Sequence, residues 1–262
     1  MSKALKSIHR LIETATKDLP IEQQFLHDLK MGIEKQEQKN ARKPSVYYKP
    51  SSLKCMRNCY FQRIGVDVDK ERADANFVGI CESGSDRHLR IQNAISNLNS
   101  FGIDCQYISV EDYVKNRELF HLIVLSKEQF ETKLFNKKYN LSFMCDGIIK
   151  YKKKYYILEI KTESSNKFWS RVGVDEGHYN QAICYSLSFD INEVMFIYES
   201  RDLLDKKVYV LQVTDEMKEG IILFIEECDQ YVKNMIAPPI PNDLDRKVCN
   251  YCLYKNICRG YK

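Results

Sequence analysis

The stretch F-M-C-D-G-I-I-K-Y (residues 143–151), followed by K-K (152–153) and K-Y-Y-I-L-E-I-K (154–161), decides how this chain folds. Both flanks alternate apolar and polar residues and are rich in Ile, Tyr and Phe, the pattern of strands half-buried in a sheet. A two-residue connection at Lys152-Lys153 sets Tyr151 opposite Lys154 and, counting back along both strands, Asp146 opposite Glu159. Side chains alternate faces, so Lys161 joins the two carboxylates while Leu158 and Ile160 point into a core. Crowded carboxylates repel. A divalent cation such as Mg²⁺ or Mn²⁺, which takes hard oxygen ligands, offsets that repulsion. An amine beside them is placed to orient or deprotonate a water that attacks phosphorus, as metal-assisted phosphodiester hydrolysis requires. A bare E-x-K on a strand also describes a solvated ion pair. The Asp at the matching register and the helix that follows separate the two.

That helix runs from His178 to about Phe189, with Gln181 and Tyr185 four apart on one face. They either hold a substrate phosphate or the lysine, or they are a surface amide and a packed ring. The order Asp, twelve residues, E-I-K, then Q-A-I-C-Y resembles the PD-(D/E)xK nucleases and, within them, the RecB-like exonucleases. The resemblance covers roughly residues 50–262, and F-I-Y-E-S-R-D (196–202) is similar to phage-encoded members. Gly147 after Asp146 departs from the bulky residue usual there, a change the family tolerates.

The resemblance implies an α/β fold: a restriction-endonuclease-like mixed sheet flanked by helices. The expected division is an N-terminal helical segment (1–45), a nuclease core (46–237) and a C-terminal cysteine-ligated cap (238–262). Gly84, His88 and Gln92 recur every four residues in a helix expected from Glu82 to about Asn97, matching the family's G-x-x-x-H-x-x-x-Q. His88, Asp146, Glu159 and the carbonyl of Ile160 are then the expected ligands of Mg²⁺ or Mn²⁺. Lys161 would position the water, and Gln181 and Tyr185 would steady the substrate.

The second motif is C-N-Y-C-L-Y-K-N-I-C (249–258), after the stiff A-P-P-I-P (237–241). Three cysteines in ten residues suit thiolate ligation of a metal in a reducing cell. S-S-L-K-C-M-R-N-C-Y-F-Q-R (51–63), expected to be a short helix capped by Ser51 or Ser52, resembles the segment that opens the iron–sulfur RecB-like members. There a cysteine followed two later by Arg supplies the first ligand, here Cys55 and Arg57; Cys59, one turn on, competes. Cys55, Cys249, Cys252 and Cys258 would bind a [4Fe–4S] cluster by resemblance, with tetrahedral Zn²⁺ as the alternative. Its role would be structural, since phosphodiester hydrolysis transfers no electrons. From Arg246 onward the tail holds five Lys or Arg and no acid, which suits phosphate contact.

Composition sets wider bounds. The 262 residues are 44% apolar and 29% charged, ordinary for a globular protein, and a net charge of +4 hints weakly at anionic partners. No apolar run approaches a membrane span. The first residues lack the apolar core of a signal peptide, so the ten cysteines are expected in a reducing cytoplasm, bacterial or phage-infected.

Residues 1–40 read as two helices, one with Leu5, Ile8, Leu11 and Ile12 on its inner face, the next opened by Pro20 with Phe25, Leu29 and Ile33 inside. Residues 162–177 read as a loop in which Phe168 and Trp169 sit between Lys167 and Arg171. These either stack on unpaired bases and grip phosphate or anchor the loop, and His178 beside them is a further candidate for substrate contact. Strands are expected at 193–200 and 206–213, and a long helix from Thr214 or Asp215 to about Ile236.

The expected activity is DNA exonuclease action on single strands or duplex ends, in recombination, replication or repair. Other proteins of those processes are further candidate partners. CRISPR-associated nucleases that trim new spacers share these motifs. A catalytically silent DNA-binding or inhibitory protein is the non-enzymatic alternative.

Overall fold

The computed structural model describes residues 20–39, 45–67, 74–240, 249–250 and 252–260. The first expected helix, with Leu5 to Ile12, lies outside them. Two compact units divide the chain. The larger, Pro44–Asp69 with Gly84–Lys262, carries everything below except α1 and the first residues of α3.

In chain order the elements are α1 (Ile21–Lys39), α2 (Met56–Arg63), α3 (Ala75–Ser96), β1 (Cys105–Ile108), α4 (Val110–Asn116), β2 (Leu122–Glu128), β3 (Glu131–Asn136), β4 (Leu141–Cys145), β5 (Gly147–Tyr151) and β6 (Lys154–Glu163). They continue with α5 (Ser165–Ser170), α6 (Tyr179–Phe189), β7 (Glu193–Ser200), β8 (Lys206–Gln212), α7 (Asp215–Asn234) and α8 (Lys255–Gly260). No residue of α1 is buried, and Phe25 and Leu29, expected on its inner face, are exposed.

A five-stranded mixed sheet runs in the order β1-β5-β6-β7-β8, parallel only between β6 and β7. Helices cover both faces, as the sequence led one to expect. Ile91 and Ile95 of α3 pack with Ile149, Leu158 and Ile160 on one side. Ile183 and Phe189 of α6 and Ile221 and Ile225 of α7 pack with Ile157, Val194 and Phe196 on the other. Thr214 caps α7, accepting from the Met217 backbone.

The hairpin register is the one counted from the sequence: Tyr151 pairs with Lys154 and Gly147 with Leu158. Residues 143–151, however, are not one strand. The chain leaves a separate three-stranded sheet, β2-β3-β4, at Cys145 and enters the larger sheet at Gly147. Gly147 adopts φ +148°, outside the range of L side chains, and a Cβ there would lie 2.7 Å from ring carbons of Tyr107. Asp146 is the hinge residue between the sheets.

Three other expectations shift. α3 begins at Ala75 rather than Glu82, with the Asp74 carboxylate accepting from the Asn76 backbone at 3.0 Å, so Ser83-Gly84-Ser85 lies within the helix. Neither Ser51 nor Ser52 caps the helix after it; Cys55 itself is the N-cap residue of α2. The expected loop 162–177 holds the end of β6 and the short helix α5, whose last carbonyls are gathered by Lys207 Nζ, 2.8 Å from Phe168 O and 3.0 Å from Arg171 O.

Candidate active site

Asp146 is held from every side. Its carbonyl accepts from buried Gln92 Nε2 at 2.7 Å and from the Tyr107 hydroxyl at 2.9 Å. Its Oδ2 accepts from Ile160 N at 2.7 Å. That leaves Oδ1 facing His88 Nδ1 at 3.3 Å. Glu131, at the start of β3, brings a third group, with Oε1 3.8 Å from the same ring nitrogen. His88, Glu131 and Asp146 thus offer ligand atoms that all lie within 4.8 Å of one another. Burial of the His88 ring works against protonation, yet the two facing carboxylates outweigh it and raise its pKa to about 10.

Glu159 and Lys161 stand beside this group, on the face of β6 that meets α6. The Lys161 ammonium pairs with Glu159 Oε1 and donates to Gln181 Oε1 at 3.1 Å. Gln181 Nε2 donates to Glu159 Oε1 at 2.8 Å and lies 2.7 Å from the Tyr185 hydroxyl. Tyr185 in turn donates to Met144 O at 2.7 Å. Burial pushes the Glu159 carboxyl up to about 7, with Lys161 opposing and Asp146 reinforcing the shift.

The four-residue spacing on α6 therefore serves the lysine. Gln181 clamps Glu159 and Lys161 together, and Tyr185, 2% exposed, holds Gln181 and cannot reach a substrate. Gln181→Ala should remove a hydrogen bond from each of Glu159 and Lys161 and lower stability by about 1 kcal/mol, measured in denaturant melts. Unchanged stability would mean that the Gln181 amide does not hold the pair together.

The expected substrate-binding residues divide. Phe168 is 1% exposed and anchors α5 in the core, so it offers no face to a base. Arg171 is also removed from phosphate. Its Nε and Nη2 each lie 2.7 Å from the Glu163 carboxylate, Nη2 reaches Asp175 at 3.2 Å, and the guanidinium sits 4.0 Å over the Tyr198 ring. Trp169 is 59% exposed, with Lys207 Nζ 5.7 Å from its ring centroid. His178 stacks with Phe196 and Tyr198, and Nδ1 meets the Tyr198 hydroxyl at 3.1 Å. Burial, then the Lys161 charge, depress its pKa to about 3, so the ring stays neutral.

Glu131 is the residue that sequence reasoning missed. Nothing in E-T-K-L-F marks it, because its place depends on the break at Gly147 that folds β3 and β4 over the hairpin.

The four named cysteines border a common cavity without clustering. Cys55, Cys249, Cys252 and Cys258 line one cavity of about 100 Å³, together with Arg57, Asn58, Lys255 and Ile240. Asn58 Nδ2 donates to Cys252 Sγ at 3.2 Å. Cys59 is not part of the lining; it is buried and its thiol donates to Ser52 O at 3.4 Å. Among the described residues no three thiol sulfurs lie within 4.8 Å of one another, so there is no tight thiolate cluster.

Fold and site define a mixed α/β protein that gathers a histidine, three carboxylates and a lysine where its two sheets meet. No family model matches the sequence, nor does any curated protein. Among solved structures it is similar to SSO0001, with 16% identity and a TM-score of 0.45 over 89% of this chain and 96% of that one. It is also similar to an alkaline exonuclease, LHK-Exo, from Laribacter hongkongensis, with 10% identity and a TM-score of 0.42 over 73% and 92% of the two chains. For the same exonuclease in complex with dAMP the values are 10% and 0.43, over 72% and 91%.

Proposed function

We infer that the protein is a metal-dependent nuclease that hydrolyses DNA phosphodiester bonds from strand ends, in recombination, replication or repair. One observation carries this: a lysine clamped against a buried glutamate beside three ligand groups, His88, Glu131 and Asp146. The donor set, one imidazole with carboxylate oxygens, suits Mg²⁺ or Mn²⁺. His88, Asp146, Glu159 and the Ile160 carbonyl would hold the ion, with Glu131 added. Bound there, it supplies Lewis-acid polarisation of the phosphoryl oxygen and lowers the pKa of water.

The chain's own residues do the rest. Ile160 N fixes one Asp146 oxygen so that the other faces the ligand group. Lys161, its side chain 24% exposed, reaches solvent where the attacking water would sit, and Gln181 and Glu159 restrict its motion. Trp169 is the remaining candidate to stack on a base.

The test is release of nucleotides from end-labelled single- and double-stranded DNA with Mn²⁺ or Mg²⁺, and none with EDTA. Equal inertness under every metal and strand would favour a DNA-binding or inhibitory role.

For the cysteines we carry the [4Fe–4S] reading. Four thiols around one cavity, with an amide donor on Cys252 and two cationic side chains in the lining, suit a thiolate-bound group of negative charge. An anaerobic preparation should be brown, with broad absorbance and about four irons per chain, and Cys252→Ser should be colourless. A colourless protein with one zinc would overturn the cluster.

A further inference from the structure

The turn between β5 and β6 is built against its own preference. Lys152 and Lys153 adopt φ +46° and +71°. Two left-handed residues in a two-residue hairpin make the type I′ turn, where Asn-Gly is favoured and long side chains are disfavoured. The backbone is pinned nonetheless, Lys152 N donating to Asp104 O at 3.1 Å. Both lysine side chains are exposed at the hairpin tip, and backbone held in disfavoured regions clusters at ligand-binding positions.

The surroundings say which use. Arg117 lies 5.3 Å from the Tyr155 ring centroid and 5.7 Å from that of Tyr113; Lys150 lies 5.7 Å from Tyr155, and Lys152 lies 5.2 Å from Tyr151. Grooves of about 450 Å³ and 370 Å³ share Tyr113, Arg117 and Tyr155 as walls. Asp112, Asp190 and Glu193 also line them, so the surplus of positive charge sits on the turn, at Lys150 and Lys152 to Lys154. Exposed lysines and an arginine suit contact with phosphates, and the rings beneath Arg117, Lys150 and Lys152 hold those cations in place.

We propose that the β5–β6 tip, through Lys152, Lys153 and Arg117, binds the phosphodiester backbone of duplex DNA away from the cleavage centre. This rests on the nuclease reading above. β5 is five residues long, so the tip stands roughly 17 Å from Asp146, about five base pairs along a duplex.

The test uses Lys152→Asn with Lys153→Gly in the full chain, neither residue belonging to the catalytic group. Binding of a labelled 20-base-pair duplex is measured in EDTA across a salt series, alongside thermal stability. The variant should melt higher, because Asn-Gly suits the turn, yet bind at least ~5-fold more weakly. Its slope of log K against log salt should be shallower by about 2, the loss of two phosphate contacts. A higher melting point with unchanged affinity and slope overturns the proposal and leaves the nuclease reading intact. A wild-type chain that binds no duplex overturns it and counts against that reading too. If the double variant fails to fold, Arg117→Gln is measured instead: a slope shallower by about 1 supports the surface, and no change overturns it.

Discussion

Lys161→Ala should leave a folded protein whose release of nucleotides from DNA ends falls by about 10³-fold, within the range that a positioned acid–base group contributes. The lysine has three relations that no neighbour can replace: its charge against Glu159, its bond to Gln181, and an exposed edge of its chain. Removing it leaves a buried carboxylate without its cation, ordinarily a costly change. Glu159 escapes by taking a proton, since burial already holds its pKa at about 7.

In metal-free protein the buried Glu159 carboxyl couples stability to pH. A carboxyl with a folded pKa above its unfolded value of 4.5 binds more protons in the folded state. Its contribution is therefore present at low pH and lost as pH rises through about 7. Losing Lys161 raises that pKa further, so the stability deficit of the variant should be small at pH 5 and widen toward pH 9. Denaturant melts across that range measure it. A deficit that shrinks with pH would mean that Glu159 is not the group left unpaired.

Gly147→Ala should be the most damaging single-methyl change in the larger sheet. The new Cβ would meet the Tyr107 ring at 2.7 Å while the backbone holds φ +148°. Tyr107 cannot swing aside without leaving the Asp146 and Phe130 carbonyls, 2.9 Å and 3.2 Å from its hydroxyl. The expected cost is about 3 kcal/mol, a fall in Tm of about 8 °C for a chain of this size, with weakened metal binding because Asp146 moves with its neighbour. Gly102→Ala is the control. Gly102 has φ +76° with open space around it, so it isolates the backbone cost, about 1 kcal/mol. If both variants melt alike, the close approach at Tyr107 carries no weight.

How much of this was legible in the sequence depends on the range of the interaction. The hairpin register was legible from Gly147 to the turn because alternation and a two-residue connection are local facts, whereas the break at Asp146, just outside the paired residues, was not. The pair on α6 was legible as a spacing, but its task was not. Whether Gln181 faces a phosphate or Lys161 depends on how α6 lies over β6. Phe168 and Arg171 misled because an aromatic beside a cation looks the same in a DNA-gripping loop and in a buried anchor. Only the burial of Glu163 beneath Arg171 separates the two. Glu131 was invisible: its role comes from a sheet-to-sheet crossing made by one glycine, and a single φ angle leaves no periodic trace. The spacing of the thiols placed Cys55, Cys249, Cys252 and Cys258 around one cavity, but it did not place their sulfurs in a tight cluster.

Where the two sheets meet, His88, Glu131 and Asp146 are proposed to hold a cation beside Lys161. Anomalous diffraction from crystals soaked in Mn²⁺ tests it most directly. The result expected is a manganese peak among His88, Glu131, Asp146 and Glu159, within about 2.5 Å of at least one carboxylate oxygen, and absent in Asp146→Ala crystals. Manganese bound only elsewhere, or bound there equally without the Asp146 carboxylate, would contradict it.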